Sequence, residues 1–152
     1  AEQELEVRAN HDSLTGLLNR ASLQGLLADR LQQDQATVVG FLDLDGFKAV
    51  NDTWGHARGD RFLAAVGAAL QASRFAHVEA ARMGGDEFVV VTDAADAGGL
   101  AVRLTAAVAA VAEAQGVDVT CSVGIARARA GDTPAELLRR ADEAMYAAKP
   151  LR

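Results

Sequence analysis

Three features are scarce in this sequence of 152 residues, and each shortage excludes a class of protein. Cys121 is the only cysteine, so no intrachain disulfide can form and a reducing cytoplasm is the natural setting. No apolar run approaches the roughly twenty residues of a membrane helix, and no charged-then-apolar leader appears. We therefore expect a soluble chain without membrane contact, which also suits the cytoplasmic part of a longer, membrane-attached protein. Basic residues are outnumbered 15 to 21, and the net charge of −6 argues against binding a nucleic-acid polymer while remaining compatible with a small anionic nucleotide.

The sequence alternates between helix-like and strand-like segments, which predicts one α/β domain. Half of the residues are apolar, and the length suits a single sizeable core. Residues 1–10 are charged and weakly periodic, as expected for the end of a segment that connects to an upstream domain, which leaves 11–152 as the domain. The predicted strands are Thr37–Leu42, Val78–Met83, Phe88–Thr92 and Val117–Ala126. The predicted helices are 20–33, 47–53, 58–73, 100–114 and 134–148, with Asn19 as an N-cap and a capping box at 133–136.

The most informative stretch is Gly84-Gly85-Asp86-Glu87-Phe88, which puts two adjacent carboxylates in a turn between two of these strands. The glycines permit the positive φ angles of a tight hairpin, so Asp86 and Glu87 lie at its tip. Two carboxylates this close repel each other unless a cation, hydrogen bonds or water offset the charge. A divalent metal is one interpretation, and an acidic, solvated turn is the other.

A second acidic cluster, Asp43-Leu44-Asp45-Gly46, follows the strand that begins at Thr37 and favours the metal. Ligand sites in α/β folds tend to lie beyond strand ends, and hard cations such as Mg²⁺ prefer carboxylate and carbonyl oxygens. We expect Asp43 to meet Asp86 across neighbouring strands. The helical segment that starts at Phe47 offers free N–H groups to phosphate oxygens, so metal and phosphate would share one corner.

These residues resemble the GGDEF domain family, the diguanylate cyclases, and the resemblance covers most of the chain. The family's signature pentapeptide stands unaltered at 84–88. The other matches, in order, are 12–20 (DSLTGLLNR), 43–48 (DLDGFK) with Asn51-Asp52, Gly55-His56 with Gly59-Asp60, 120–125 (TCSVGI) and 141–149 (ADEAMYAAK). So many ordered matches make coincidence implausible.

The resemblance implies a fold, a reaction and partners. The fold would be an α+β sandwich whose central, mostly antiparallel sheet has five strands wrapped by helices, similar to the palm of polymerases and nucleotidyl cyclases. The reaction would condense two GTP molecules into cyclic di-GMP and two pyrophosphates, as each 3′-hydroxyl attacks the other nucleotide's α-phosphorus across a transient antiparallel homodimer. Mg²⁺ or Mn²⁺ would be the cofactor, and an upstream sensory or receiver domain would bring two copies together.

The resemblance also gives roles to particular residues. The metal site would comprise the carboxylates of Asp43, Asp86 and Glu87 and the backbone carbonyl of Leu44. Asp86 and Glu87 are both catalytic candidates, since either can take the hydroxyl proton. The substrate contacts would be Asn51 and Asp60 on guanine, His56 on the nucleotide, and the backbone at Gly46, Phe47 and Lys48 with the Lys149 ammonium on phosphate. An Asp suits guanine because it accepts from the N1–H and the exocyclic amine.

Several of these residues have simpler structural interpretations. Asp60 is a good N-cap for a helix that begins near Arg61, and Asn51 is a common turn residue. Lys149 would be a positive charge that is favourable at a helix C-terminus, and His56 would be an ordinary polar loop residue. Trp54, the only tryptophan, is expected to pack its loop against the core rather than to stack on guanine.

One departure from the family concerns product inhibition. The usual Arg-x-x-Asp register falls here on Phe75 and Val78, and Arg74 and His77 have the spacing one position earlier without the acid. We therefore predict weak or absent feedback through this site. Two other functions stay open: a GTP- or cyclic di-GMP-binding module without catalysis, and a structural dimerisation domain.

Overall fold

An antiparallel sheet forms the centre of the structure, a computed structural model that describes residues 9–72 and 78–150. Its strands are β1 (Thr37–Asp45), β2 (Glu79–Gly84), β3 (Glu87–Asp93) and β4 (Thr120–Arg127), in the order β2-β3-β1-β4. All four predicted strands are confirmed, with β1 extending further than its apolar run. Residues 1–8, and with them most of the expected connecting segment, lie outside the described residues, as do Arg74, Phe75 and His77.

The expectation of five strands is wrong for the described residues, which form a sheet of four. Among the residues that the structure describes, the edge beside β2 carries an isolated parallel bridge between Leu18 and Ala81 and no further strand. Leu18 donates to the Ala80 carbonyl and accepts from the Arg82 amide, at 3.1 and 2.9 Å. A longer pairing is prevented because Asn19 already caps a helix at the next position.

The helices that flank the sheet within residues 11–72 and 78–150 are α1 (Arg20–Gln32), α2 (Phe47–Trp54), α3 (His56–Gln71), α4 (Leu100–Gln115) and α5 (Pro134–Ala147), and a short 3₁₀ turn spans Ala94–Asp96. The predicted caps are confirmed. The Asn19 side chain accepts from the Ser22 amide at 2.9 Å, and the Thr133 side chain accepts from the Glu136 amide at 3.2 Å. None of the described helices is long and apolar enough to cross a membrane.

The alternation of side chains along β1 supplies both faces of the sheet with core residues. Val38 and Leu42 point to one face, where they join buried residues of α2, α3 and α4. Val39 and Phe41 point to the other face, where they join buried residues of α1 and α5. Asp43 and Asp45 continue this second face beyond its apolar part, because they keep the same two-residue period.

Gly124 in β4 lets α5 lie directly on the sheet. A Cβ atom at this position would lie 2.0 Å from the Met145 amide nitrogen and 2.2 Å from the Ala141 carbonyl oxygen, so no larger residue fits without moving the helix. This close approach brings the residues that follow α5 toward the end of β1.

Strand register brings the polar ends of three strands to one corner. Asp43 pairs with Glu87 of β3 on one side and with Ser122 of β4 on the other. The β2–β3 turn, the start of β4 and the start of α2 therefore all meet where β1 ends.

Candidate active site

Two acidic residues of the site face each other across β1 and β3, beside the Asp86 that was expected to meet Asp43. Asp43 and Glu87 are direct register partners in the antiparallel pair. Asp86 lies in the turn just before β3, and its backbone carbonyl accepts a hydrogen bond from the Leu44 amide at 3.2 Å. Three carboxylates thus converge from two adjacent strands.

The turn that carries Asp86 is held by Arg82. Gly84 and Gly85 have φ angles of 143° and 52°, a conformation that residues with a Cβ rarely adopt. The Arg82 guanidinium donates to the Gly85 carbonyl at 2.9 and 3.0 Å and to the Asp12 carboxylate at 3.1 and 3.3 Å. Asp12 and Arg82 therefore fix the backbone immediately before Asp86.

Burial and neighbouring negative charges raise the pKa values of Asp86 and Glu87. Burial and then the negative charge of Asp43 raise the pKa of Asp86 from 3.8 to about 6. Burial and the charges of Asp43 and Asp142 also raise the pKa of Glu87, against a smaller opposing effect of Arg20 and Lys149. Such mutual repulsion is typical of carboxylates that a cation holds together, and of catalytic groups.

Lys149 is the positive group in contact with this cluster. It lies two residues beyond the end of α5, and its ammonium contacts Asp43 Oδ2 and Asp45 Oδ1, each at 2.8 Å. Although burial disfavours the charged ammonium, the hydrogen bonds that it donates to Asp43 and Asp45 raise the pKa of Lys149 above its usual range. Lys149 is therefore more than a charge at a helix C-terminus.

Asp43 and Asp45 differ in what their oxygens can still bind. Both oxygens of Asp45 have partners, since Lys149 contacts Oδ1 and the Ser122 hydroxyl donates to Oδ2 at 2.6 Å. Asp43 Oδ1 is buried and has no hydrogen-bond partner in the described part of the chain. A buried carboxylate oxygen without a partner is costly, so Asp43 is the member of the pair that is suited to a cation.

The donor set fits a hard divalent cation shared with a ligand. In residues 9–72 and 78–150, no three His, Cys, Asp or Glu side chains are arranged to hold a metal ion by themselves. Mg²⁺ commonly binds through one or two carboxylates and completes its shell with water and substrate phosphates. Asp43 and Asp86, with the backbone carbonyl of Leu44, match that mode of binding.

The start of α2 lies next to this acidic cluster. Gly46 has a φ of 89°, and a Cβ there would lie 2.9 Å from the Asp118 carbonyl oxygen, so the tight entry into the helix requires glycine. Phe47 is buried and stacks on Phe62 with ring centroids 6.3 Å apart, whereas Lys48 is exposed. Phe47 can thus offer only its backbone to a ligand.

The predicted guanine-reading residues form a second group, at the junction of α2 and α3. Asn51 is on α2, and its Oδ1 is buried without a hydrogen-bond partner among the described residues. That oxygen lies against Gly59 of α3, where a Cβ would be only 1.8 Å away. Asp60 follows Gly59 and is exposed, as is His56 at the first position of α3.

Four of the simpler interpretations are wrong. His56 is the first residue of α3 rather than a loop residue. Asp60 is not an N-cap, because α3 already begins at His56 and is capped by Gly55. Asn51 is helical rather than in a turn. Trp54 does not pack against the core, since 56% of its surface is exposed and the Arg58 guanidinium lies 4.6 Å from its ring centroid. A cation–π contact with Arg58 replaces the burial that was expected for Trp54.

A family model described as "Diguanylate cyclase, GGDEF domain" matches residues 9–152. The chain belongs to the GGDEF domain family. The expected α+β architecture, similar to the nucleotidyl cyclase palm, is confirmed by solved GGDEF structures. Diguanylate cyclase SiaD from Pseudomonas aeruginosa, solved in complex with its activator SiaC, has a TM-score of 0.84 and 35% identity over 97% of this chain and 60% of that one.

Curated relatives are much longer than this GGDEF domain. The bifunctional diguanylate cyclase/cyclic di-GMP phosphodiesterase MucR of Pseudomonas aeruginosa is 42% identical over 98% of this chain and 23% of its own length. The cyclic di-GMP phosphodiesterase PdeB of Shewanella oneidensis is 40% identical over 96% of this chain and 18% of its own length. The chain thus spans about a fifth of each of these relatives.

Two pairs of residues in this GGDEF domain were missed by the sequence analysis. Asp45 and Ser122 hold Lys149, and Asp12 with Arg82 holds the acidic turn. The two-residue spacing of Asp43 and Asp45 was a usable signal, since it puts both carboxylates on one face of β1. No local pattern indicated the other contacts, which join residues 70 or more positions apart.

Proposed function

We propose that this GGDEF domain is a diguanylate cyclase that converts two GTP molecules into cyclic di-GMP and two pyrophosphates. The observation that carries the proposal is the convergence of Asp43, Asp86 and Glu87, together with a buried Asp43 oxygen that has no hydrogen-bond partner among the described residues. A structural dimerisation domain would have no use for carboxylates that repel one another in this way. Mg²⁺ is the proposed cofactor, and Mn²⁺ would suit the same oxygen ligands.

The acidic residues have complementary roles in the proposed reaction. Asp43, Asp86 and the Leu44 carbonyl would hold the cation, and Glu87 would complete the site beside Asp43. A bound divalent cation neutralises charge on the triphosphate and acidifies the attacking hydroxyl. In each step the 3′-oxygen bonds to the α-phosphorus of the other nucleotide, the bond to the β-phosphate breaks and pyrophosphate leaves. The hydroxyl proton passes to Asp86, Glu87 or water.

The remaining residues would bind and orient the nucleotide. Phosphate oxygens suit the backbone N–H groups at the start of α2, from Gly46 to Lys48, and the Lys149 ammonium. The guanine edge suits Asp60 as an acceptor and Asn51, whose side-chain oxygen lacks a partner in the described structure. His56, exposed at the start of α3, would contact the same nucleotide.

The proposed reaction requires two copies of the domain. Each copy would present one GTP, so the two sites must face each other in an antiparallel homodimer before a ring can close. Because the long relatives contain much besides this domain, we propose that an upstream sensory or receiver module controls the pairing, and that the activity is cytoplasmic. Neither nucleic-acid polymers nor membranes take part in the proposal.

A second candidate is a GGDEF domain that binds GTP or cyclic di-GMP without catalysis. The observation that favours it is the 40% identity to PdeB, whose name is that of a phosphodiesterase. Since the match covers only 18% of PdeB, that name does not assign an activity to the matched part. The unaltered residues 84–88 favour the cyclase.

The two candidates are separated by a product assay. Purified protein at high concentration is incubated with GTP and Mg²⁺, the nucleotides are resolved by chromatography, and the double variant Asp86→Ala/Glu87→Ala serves as control. The cyclase proposal predicts cyclic di-GMP from the unaltered protein alone. GTP binding without any product would support the non-catalytic module.

A further inference from the structure

Lys149 contacts two acidic side chains, which a role in binding phosphate does not by itself require. Its ammonium lies 2.8 Å from Asp43 Oδ2 and 2.8 Å from Asp45 Oδ1. The three side chains are largely buried, with 28% of the Lys149 side chain, 19% of Asp43 and 18% of Asp45 exposed. In this arrangement the lysine neutralises the carboxylate that the proposed function gives to the metal.

The hydrogen bonding of Asp45 holds the Lys149 ammonium beside Asp43. The Ser122 hydroxyl donates to Asp45 Oδ2 at 2.6 Å and leaves Oδ1 for the ammonium. Gly124 brings α5 against β4, the strand that carries Ser122, and Lys149 lies two residues beyond the end of that helix. Residues of β4 therefore contribute to the positions of both Asp45 and Lys149.

We propose that Lys149 is a resident counter-cation of Asp43, held by Asp45 and Ser122, which a divalent cation must displace or share. This proposal rests on the proposed function, since it concerns the metal of that site. A dication on Asp43 would lie within a few ångströms of the ammonium, and like charges at that distance in a largely buried site repel strongly. The domain would bind metal weakly by itself, and more tightly once a triphosphate draws the lysine to its own oxygens.

The test measures Mn²⁺ binding to the nucleotide-free protein by electron paramagnetic resonance, which follows free Mn²⁺ and needs no catalysis. Lys149→Met is expected to bind Mn²⁺ about tenfold more tightly than the unaltered protein. Lys149→Arg, which keeps the charge, is expected to stay within about threefold of the unaltered protein. Asp43→Asn, alone or combined with Lys149→Met, is expected to lose the site.

Arg20→Met is the matched control for a general effect of charge. Arg20 acts on Glu87 through its charge, but the ion pairs of the described residues join Lys149, not Arg20, to Asp43. Its removal should change Mn²⁺ affinity by less than about threefold. Lys149→Gln provides a second neutral variant, and thermal unfolding shows which variants are folded.

Three results would overturn the proposal: unchanged or weaker Mn²⁺ binding in folded Lys149→Met and Lys149→Gln, an equal gain in Arg20→Met, or no binding in any variant. These outcomes are separate from the fate of the cyclase proposal. If the unaltered protein makes cyclic di-GMP but the Lys149 variants bind Mn²⁺ no more tightly, only the role of the lysine is refuted. If the Lys149 variants bind Mn²⁺ more tightly but the unaltered protein makes no product, only the cyclase proposal is refuted.

Discussion

The Asp12 carboxylate accepts two hydrogen bonds from the Arg82 guanidinium, at 3.1 and 3.3 Å, although the residues are 70 positions apart. Hydrogen bonds from Thr15 and the charge of Arg82 outweigh burial and hold the pKa of Asp12 below its usual range. Because Arg82 also donates to the Gly85 carbonyl, this ion pair connects the start of the domain to the turn that carries Asp86.

Arg82→Ala should therefore weaken both stability and catalysis. The free energy of unfolding is expected to fall by about 1–3 kcal/mol, because a largely buried, charged hydrogen-bond network is lost. Cyclic di-GMP formation is expected to fall about a hundredfold, since the turn before Asp86 loses its fixed position. Urea unfolding and initial rates measure the two effects.

The matched control for Arg82→Ala is Arg139→Ala. Arg139 pairs with Glu143 on an exposed face of α5, where more than 60% of each side chain is accessible. Its loss should cost less than about 0.5 kcal/mol and leave the rate unchanged. An equal loss of activity in both variants would contradict the role given to Arg82.

Asp86→Asn is expected to stabilise the metal-free protein at high pH. The folded pKa of Asp86 is raised from 3.8 to about 6, so ionisation above pH 6 costs stability that is recovered as the pH falls toward 4. After allowance for solvent screening of this partly exposed group, the variant should be more stable by about 1 kcal/mol at pH 8. The difference should vanish near pH 4, and urea unfolding in the presence of a chelator measures it.

Asp132→Asn should show the opposite pH dependence. The hydrogen bond from Arg140 is the main cause that lowers the pKa of Asp132, so its charged form stabilises the fold above the unfolded pKa. The variant should be less stable than the unaltered protein at pH 7, and the deficit should shrink as the pH falls below 4. Parallel curves for the two Asn variants would show that the local environments do not set these effects.

Gly124→Ala should push α5 away from the sheet. With backbone atoms of α5 only 2.0 Å and 2.2 Å from the new Cβ, the expected cost is about 3 kcal/mol or more, because the contact is with main chain that cannot rotate away. Gly25→Ala on α1 is the matched control, since nothing lies within 4 Å of its new Cβ. That change should stabilise the helix by about 0.5–1 kcal/mol. A neutral Gly124→Ala would contradict the packing described here.

Gly59→Ala should weaken GTP binding through Asn51. The new methyl group would lie 1.8 Å from Asn51 Oδ1 and must displace that side chain. Calorimetry with a non-hydrolysable GTP analogue is expected to show a loss close to that of Asn51→Ala, roughly tenfold. The double variant should be no worse than Asn51→Ala alone, because both changes act on the same contact. Additive losses would mean that Gly59 acts in another way.

Local patterns predicted most of the fold. The β-branched run at Thr37 and the caps at Asn19 and Thr133 act over a few residues, so the sequence indicates the elements they begin. The number of strands was wrong because it came from the family resemblance, and the described residues beside β2 form an isolated bridge between Leu18 and Ala81 rather than a strand.

The site was predictable where its residues are close in sequence. Asp86 and Glu87 are adjacent, and Asp43 continues the apolar run of its strand, so strand pairing alone brings them together. The contact of Lys149 with Asp45 spans 104 positions and depends on how closely α5 approaches β4. The exposure of Trp54 likewise depends on its contact with Arg58 in the next helix. Such features depend on tertiary packing, which the periodicity of the sequence does not reveal.

The most direct test of the central claim is cyclic di-GMP formation from GTP and Mg²⁺ over a dilution series of the protein. The account predicts that specific activity rises with protein concentration, because two GTP-loaded copies must meet, and that Asp86→Ala/Glu87→Ala makes no product. A specific activity independent of concentration would contradict catalysis limited by pairing. The absence of cyclic di-GMP at every concentration, with GTP still bound, would contradict the cyclase itself.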